Sequence, residues 1–585
     1  MIWKALIGVS TTAVIVAMVT RAWFVGQSRH DGANALKEWS NKPGEEKLKN
    51  HTKEFNNPIV RKVTDGVYVA IGFALANSIM LEAPEGLIIV DVTETVESGR
   101  NVLKAFREIS DKPIKALIYT HNHADHTCGA KAFIEDPANP PDIWSHYTLP
   151  TQFKRVFTVV NHITYIRAMR QFGVFLEGRG HLNSGIGPRL GHSVEFGIVL
   201  PNRLMSSNDE TITIAGLTLR LIHVPGETPD QICVWIPEKR VLLPADDIYK
   251  AFPNLYAIRG TPPRNTIDWV NSIDKMRHLR PQFLVPSHTK PLEGVEFIFK
   301  IFTDYRDAIQ FVHDQTVRWI NKGLYPDEIV ERVHLPDNLA FNPFLQEFYG
   351  TVAWSVRGVF DSYIGWFSGD PVDLNPLSPR DKASRIVKLA GGTDAAVAAA
   401  MEAFQEDDLQ WALELSSSVL ITDASNAKAQ EINIKALQGL GVRQTSPNAR
   451  NYYLTRALER SGEIPTIAPN PVQRSSLVKI IPVNYIMDAL SRRLKAEDAI
   501  GVNQTLVLHF PDTNTTFSLH LRNCVLEVTD YEVDGWDIKA TMDEQIYREF
   551  AAKERSPGVA YAKGDMTVEG GILAFRKFMN YFDIE

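Results

Sequence analysis

"THNHADHTCGA", residues 120–130, sets three histidines and an aspartate within the positions His121 to His126, directly after the apolar run "IKALIYT". The run has the length and β-branched character of a buried strand, so the polar cluster falls where the strand gives way to a loop. Two residues apart, His121 and His123 point the same way if the strand direction persists. Asp125 and His126 lie on the loop beyond. Imidazole is a borderline-soft donor and a carboxylate can bridge, a combination that suits zinc better than calcium or magnesium. Solvated loop residues seldom concentrate this way after a buried strand, so the stretch is read as part of a metal centre.

Working outward, apolar runs bounded by turn residues alternate with helical patterns from about residue 60. They include "GVYVAIG", "SIMLEAPEGLIIVDV" and the helix-like "VESGRNVLKAFREIS" before the quoted stretch, and "TITIAGLTLRLIHVPG", "ICVWIPEKRVLLPADD" and "FLVPSHTK" after it. This is an α/β region whose strand ends carry polar residues, the usual place for chemistry in such folds. From about Pro376 the sequence turns rich in Ala and Leu at helical spacing with Gly stops, which predicts helical hairpins. The last part, from "QTLVLHFPD" on, returns to alternating strands followed by helices, a small α+β domain.

The chain has 585 residues, 44% hydrophobic and 22% charged, with a formal net charge of -7. That length calls for several domains. The mildly acidic balance offers no electrostatic footprint for nucleic acid and leaves a small molecule as the expected partner. Three cysteines, Cys128, Cys233 and Cys524, are too few and too scattered for a disulfide framework. Lys4, the apolar stretch Ala5–Thr20, Arg21, Trp23 and Phe24 read as a signal anchor or signal peptide over residues 1–26, which implies membrane attachment or export. A polar linker, 27–59, follows.

"HNHADH" resembles the His-x-His-x-Asp-His signature of the metallo-β-lactamase fold superfamily. In "HVPGETPDQ" most of that superfamily has a third histidine after Pro-Gly, and here Glu227 stands there. A glutamate at this place is the habit of one branch, the alkylsulfatases. "NLYAIRG" (254–260), "WFSGDPVDLNPLSP", "MEAFQEDDLQWALELSSSVL" and "NARNYYLTRALE" are similar to that branch's later segments, and the final region resembles its sterol-carrier-protein-2-like domain. The resemblance runs from about residue 60 to the end. It implies an αββα metallo-β-lactamase sandwich over 60–375, an all-α dimerisation domain over 376–470 that makes a homodimer, and a small α+β domain over 471–585.

By the same resemblance, His121, His123 and Glu227 would hold one zinc, Asp125, His126 and His288 a second, and Asp246 would bridge them. Two zinc ions per chain would acidify a water. Arg259 and Asn254 would bind a sulfate ester, the guanidinium matching a tetrahedral oxyanion, with Arg264 as a weaker second cation. Two departures from the branch stand out: Asp246 replaces a bridging glutamate, and Phe172 in "RQFG" stands where the branch has a tyrosine. The implied activity is zinc-dependent hydrolysis of alkyl sulfates to an alcohol and sulfate. Hydrolysis of a lactone, thioester or phosphodiester, and a lipid-binding protein with a vestigial metal site, are the alternatives. Phe and Met in "GILAFRKFMNYF" suggest an apolar tunnel for an alkyl tail, or simply that domain's own core.

Overall fold

The computed structural model describes residues 44–178, 180–191, 195–468 and 471–583. The proposed anchor over 1–26 lies outside them; among the described residues no helix is long and apolar enough to cross a membrane.

Strands β3 (Ser78–Ala83) and β4 (Gly86–Val90) show why two sheets stack here. Every residue of β4 is buried, yet its side chains face opposite ways: Ile88 and Val90 join the core between the sheets, while Leu87 and Ile89 join a second core with Val102 and Phe106 of the helix Val96–Arg107. The period-2 alternation of a strand therefore meets an apolar layer on both faces. The first sheet runs β1 (Ile59–Thr64), β2 (Val67–Ile71), β3, β4, β5 (Ile114–Ile118), β6 (Asp142–Ser145), β7 (Arg203–Leu204). It is an antiparallel meander up to β4 and parallel from there.

The second sheet is ordered β13 (Leu292–Glu293), β12 (Phe283–Leu284), β11 (Val241–Leu243), β10 (Ile232–Ile236), β9 (Leu217–His223), β8 (Asp209–Ile214). Leu219, Leu221, Val234 and Leu243 face the first sheet. Ile222, Cys233, Trp235 and Leu242 face outward onto Trp269 and Met276 of the helix Thr266–His278 and Ile298 and Phe302 of the helix Val295–Ile320. The layers are thus helix, sheet, sheet, helix, the αββα sandwich expected.

The chain separates into two compact units. One takes Glu54–Met169, Ile186–Gly369 and everything from Ile467; the other takes Arg170–Gly185, Asp370–Thr466 and the described residues up to Lys53. The second unit is all-helical, stacking Pro379–Leu389, Thr393–Gln405, Leu409–Thr422, Ala427–Arg443 and Pro447–Ser461. Small residues at the contacts, Ala396, Ala400, Ala412, Ala429 and Ala436, are buried there, and Ser378, Asp408 and Asn426 cap three of the helices through their side chains. Phe172 is buried within this unit, its carbonyl accepting from His181. Chain order alone could not assign Arg170–Gly185 to it.

The last strands form a third sheet, β16 (Val525–Thr529), β15 (Thr515–Arg522), β14 (Asn503–Phe510), β17 (Ile538–Met542), β18 (Met566–Glu569). Phe575 and Phe578 of the helix Ile572–Met579 are fully buried against Phe510, Tyr547 and Met566. These side chains pack as this domain's core, the second of the two expectations for "GILAFRKFMNYF".

Candidate metal centre

The polar residues that follow β4, β5, β9, β11 and β12 converge. They come from both sheets, and the turns that carry them are strained: Asp91, Thr93, Ala245 and Thr289 all have positive φ without being glycine. Two trios of potential ligands result, His121 with His123 and Asp246, and Asp125 with His126 and His288. Asp246 sits between them. Its Oδ2 lies 3.8 Å from Nε2 of His121, 3.4 Å from Nε2 of His126 and 3.2 Å from Nε2 of His288. Asp125 Oδ2 stands 3.5 Å and 3.6 Å from Nε2 of His126 and His288.

The far side of each ring is held. Nδ1–H of His288 donates to the Leu75 carbonyl at 3.0 Å, and Nδ1–H of His126 to Asp91 at 2.7 Å. Nδ1–H of His121 reaches Thr120 Oγ1 at 3.0 Å, and that hydroxyl donates to Asp91 Oδ2. Asp91 is the hub: it also accepts the Thr120 N–H at 2.9 Å and the Ser287 hydroxyl at 2.9 Å. Such outer partners fix the tautomer and leave Nε2 of three rings facing the centre. His123 is reversed, with Nδ1 at 2.9 Å from His121 Nε2 and Nε2 accepting from Arg259 at 3.2 Å.

Burial, helped by His126, pushes His121 down to about 3. Burial, with His121 and Arg259 adding to it, holds His123 well below its usual value, so both rings are neutral. For His126 burial opposes the charge, but Asp246, Asp125 and Asp91 outweigh it and raise the ring well above 6.5. His288 is raised in the same way, by Asp246 against burial. The surrounding carboxylates thus favour positive charge at these two rings. Several inward atoms have no hydrogen-bond partner among the described residues although buried: His126 Nε2, Asp246 Oδ1 and Glu227 Oε2. Buried orphans of this kind are costly unless a ligand satisfies them. Imidazole nitrogens and carboxylate oxygens in two trios fit a pair of metal ions.

Glu227 stands outside the two trios. Its Oε1 pairs with Arg264 at 2.8 Å, both side chains being buried, and burial raises its carboxyl despite Arg264. Gly226 before it is required by space, because a Cβ there would lie 2.0 Å from Asp247 Oδ1, the atom that accepts the Glu227 N–H. Arg264 also donates to the Asn254 carbonyl. Its Nη1 ties the loop 254–264 to itself, while Nε and Nη2 have no hydrogen-bond partner among the described residues. Asn254 is fully buried, its backbone N–H donating to Tyr249 Oη at 3.0 Å, and neither end of its side-chain amide finds a partner among the described residues. Arg259 reaches the same place through His123.

Comparison with known proteins agrees with this architecture. Family models match residues 71–288 (metallo-beta-lactamase superfamily), 325–462 (alkyl sulfatase dimerisation) and 472–585 (alkyl sulfatase C-terminal). A linear primary-alkylsulfatase of a Pseudomonas species is 37% identical over 86% of this chain and 98% of its own length. The chain belongs to the alkylsulfatase family. Another member, an alkyl/aryl-sulfatase of Saccharomyces cerevisiae, is 28% identical over 89% of this chain and 82% of its own. Among solved structures, a stereoselective inverting sec-alkylsulfatase from Pseudomonas superposes with a TM-score of 0.85 at 26% identity, over 90% of this chain and 85% of that one.

Sequence reasoning missed Asp91 and Tyr349. Asp91 follows directly on the run "GLIIV", and a carboxylate closing a fully buried strand was its signal. Tyr349 lies about 90 residues beyond the loop that it meets, with no local pattern to mark it.

Proposed function

We propose that this alkylsulfatase-family protein is a dinuclear zinc hydrolase that cleaves primary alkyl sulfate esters to an alcohol and inorganic sulfate. The observation that carries the reading is Asp246, whose Oδ2 faces Nε2 of three histidines while its buried Oδ1 has no partner among the described residues. His121, His123 and Asp246 would hold one ion, with Glu227 Oε2 as a further donor. Asp125, His126 and His288 would hold the other, Asp246 bridging. Zinc ions held there would supply Lewis acidity and a water acidified towards neutrality.

The chain's own residues do the rest. Arg259 grips the sulfate with a permanent charge and a planar fork, and Asn254 adds the donor that its unpartnered amide offers. The family relationship and the likeness to a linear primary-alkylsulfatase support the sulfate ester over a lactone, thioester or phosphodiester. The matched dimerisation model supports a homodimer, which size-exclusion chromatography with light scattering would test.

The deciding experiment is inorganic sulfate release from dodecyl sulfate, with metal content measured on the same preparation. Release with about two zincs per chain, abolished by a chelator, supports the proposal. Two zincs without release, but turnover of another ester, would overturn the substrate. Undiminished function in His121→Ala would overturn the metal mechanism.

A further inference from the structure

Tyr349 enters the centre from a segment far along the chain. Gln346 O accepts the Phe252 N–H at 2.7 Å, and Phe252 O accepts the Gly350 N–H at 3.1 Å, so the backbones of 346–350 and 252–254 are clasped. Gly350 permits the approach, since a Cβ there would meet Pro253 O at 1.9 Å and Asn254 Cα at 2.8 Å. Tyr349 is 2% exposed, with its ring edge-on to Tyr249 at 5.8 Å, and Tyr249 in turn holds the Asn254 N–H. At the tip, the Arg259 guanidinium hydrogen-bonds the Tyr349 oxygen.

Proton bookkeeping shows what that contact does. In this hydrogen-bond pattern His121 Nδ1 donates to Thr120, so His121 Nε2 is a lone pair that accepts from His123 Nδ1–H. His123 Nε2 is then the lone pair that takes the Arg259 N–H. A neutral imidazole has one proton. If Nδ1 of His123 turns its lone pair to an ion, the proton must sit on Nε2, which can no longer accept from Arg259. The Tyr349 oxygen remains an acceptor in both states, because it needs no tautomer change.

We infer that Tyr349 is a positioning residue that fixes the Arg259 fork for the sulfate group when the metal centre is loaded. The inference rests on the sulfate ester reading above. Arginine's long side chain has rotamer entropy to lose, and a phenol fixed by the backbone clasp lets it lose that before the ester arrives.

The test is Tyr349→Phe in the full-length, zinc-loaded protein. It keeps the ring against Tyr249 and removes only the hydroxyl. KM for dodecyl sulfate should rise about tenfold and kcat change less than about twofold, with unchanged zinc content. Calorimetric affinity for inorganic sulfate should fall by a similar factor. In an Arg259→Lys background the same change should cost less than about twofold, the signature of action through Arg259. Wild-type KM and sulfate affinity in Tyr349→Phe, or an equal loss in both backgrounds, would overturn the inference. Because sulfate binding needs no turnover, a wild-type protein inert on every sulfate ester would sink the functional reading and leave Tyr349 separately tested.

Discussion

Asp91→Asn should weaken metal binding at the centre without disturbing the sheets. Three donors face Asp91 Oδ2: the Thr120 hydroxyl at 3.0 Å, the Ser287 hydroxyl at 2.9 Å and His126 Nδ1–H at 2.7 Å. An amide nitrogen placed there cannot accept. The two hydroxyls can rotate to accept from it, but His126 can do so only by moving its proton to Nε2, the atom meant for the metal. Turning the amide over restores that acceptor and sets its NH2 against the Thr120 N–H, which is buried and donates to Oδ1 at 2.9 Å. Each arrangement forfeits one buried, charge-assisted bond, about 1.5–3 kcal/mol. That matches the 10- to 100-fold loss of metal affinity, roughly, that such outer partners command. A chelator-competition titration with metal analysis would read it, and far-UV circular dichroism would confirm the fold. Wild-type affinity for both ions in Asp91→Asn would refute the argument that Asp91 sets the His126 tautomer.

Arg259→Ala should raise KM for sulfate esters about 10- to 100-fold, the loss of a charged contact, while metal analysis finds the zinc intact; zinc loss would mean that its role is misplaced. Gly226→Ala drives a Cβ to 2.0 Å from Asp247 Oδ1, and thermal unfolding should report about 1–3 kcal/mol of destabilisation. Through the four histidines of the centre, chelated protein should lose heat stability both above and below pH 6.5, their unfolded value. His126 and His288 are raised in the fold, so their contribution is complete below that value and lost as pH climbs through their folded values. His121 and His123 are lowered, so theirs is complete above it and lost as pH falls towards about 3 for His121. Zinc displaces the protons on His126 and His288, so their share of the alkaline loss should vanish in a melting series on loaded protein.

The sequence was most legible where ligands are contiguous. His121, His123, Asp125 and His126 could be read as a metal cluster because six positions of one loop hold them, and β4 and β5 because their apolar runs are buried on both faces. Glu227, Asp246 and His288 were found at strand ends through family resemblance. Arg264 reads as a cation for the substrate, and the sequence carries no sign that its Nη1 is held by Glu227 and the Asn254 carbonyl, contacts set by a loop folding back on itself. Asp91 and Tyr349 act alone, across a sheet and across a backbone clasp. Neither leaves a periodic trace in the chain.

The centre draws Asp91 and the His121–His126 loop from one sheet and Glu227, Asp246 and His288 from the other. An ion held by Asp246 and a histidine of that loop would tie together segments about 120 residues apart, a rivet between the halves of the sandwich. The closure it enforces is one that the unfolded chain would resist, and ligand held by the native state alone raises stability with its concentration. On the metal reading, supply of the ion would control how long the molecule survives proteolysis as well as how fast it turns over.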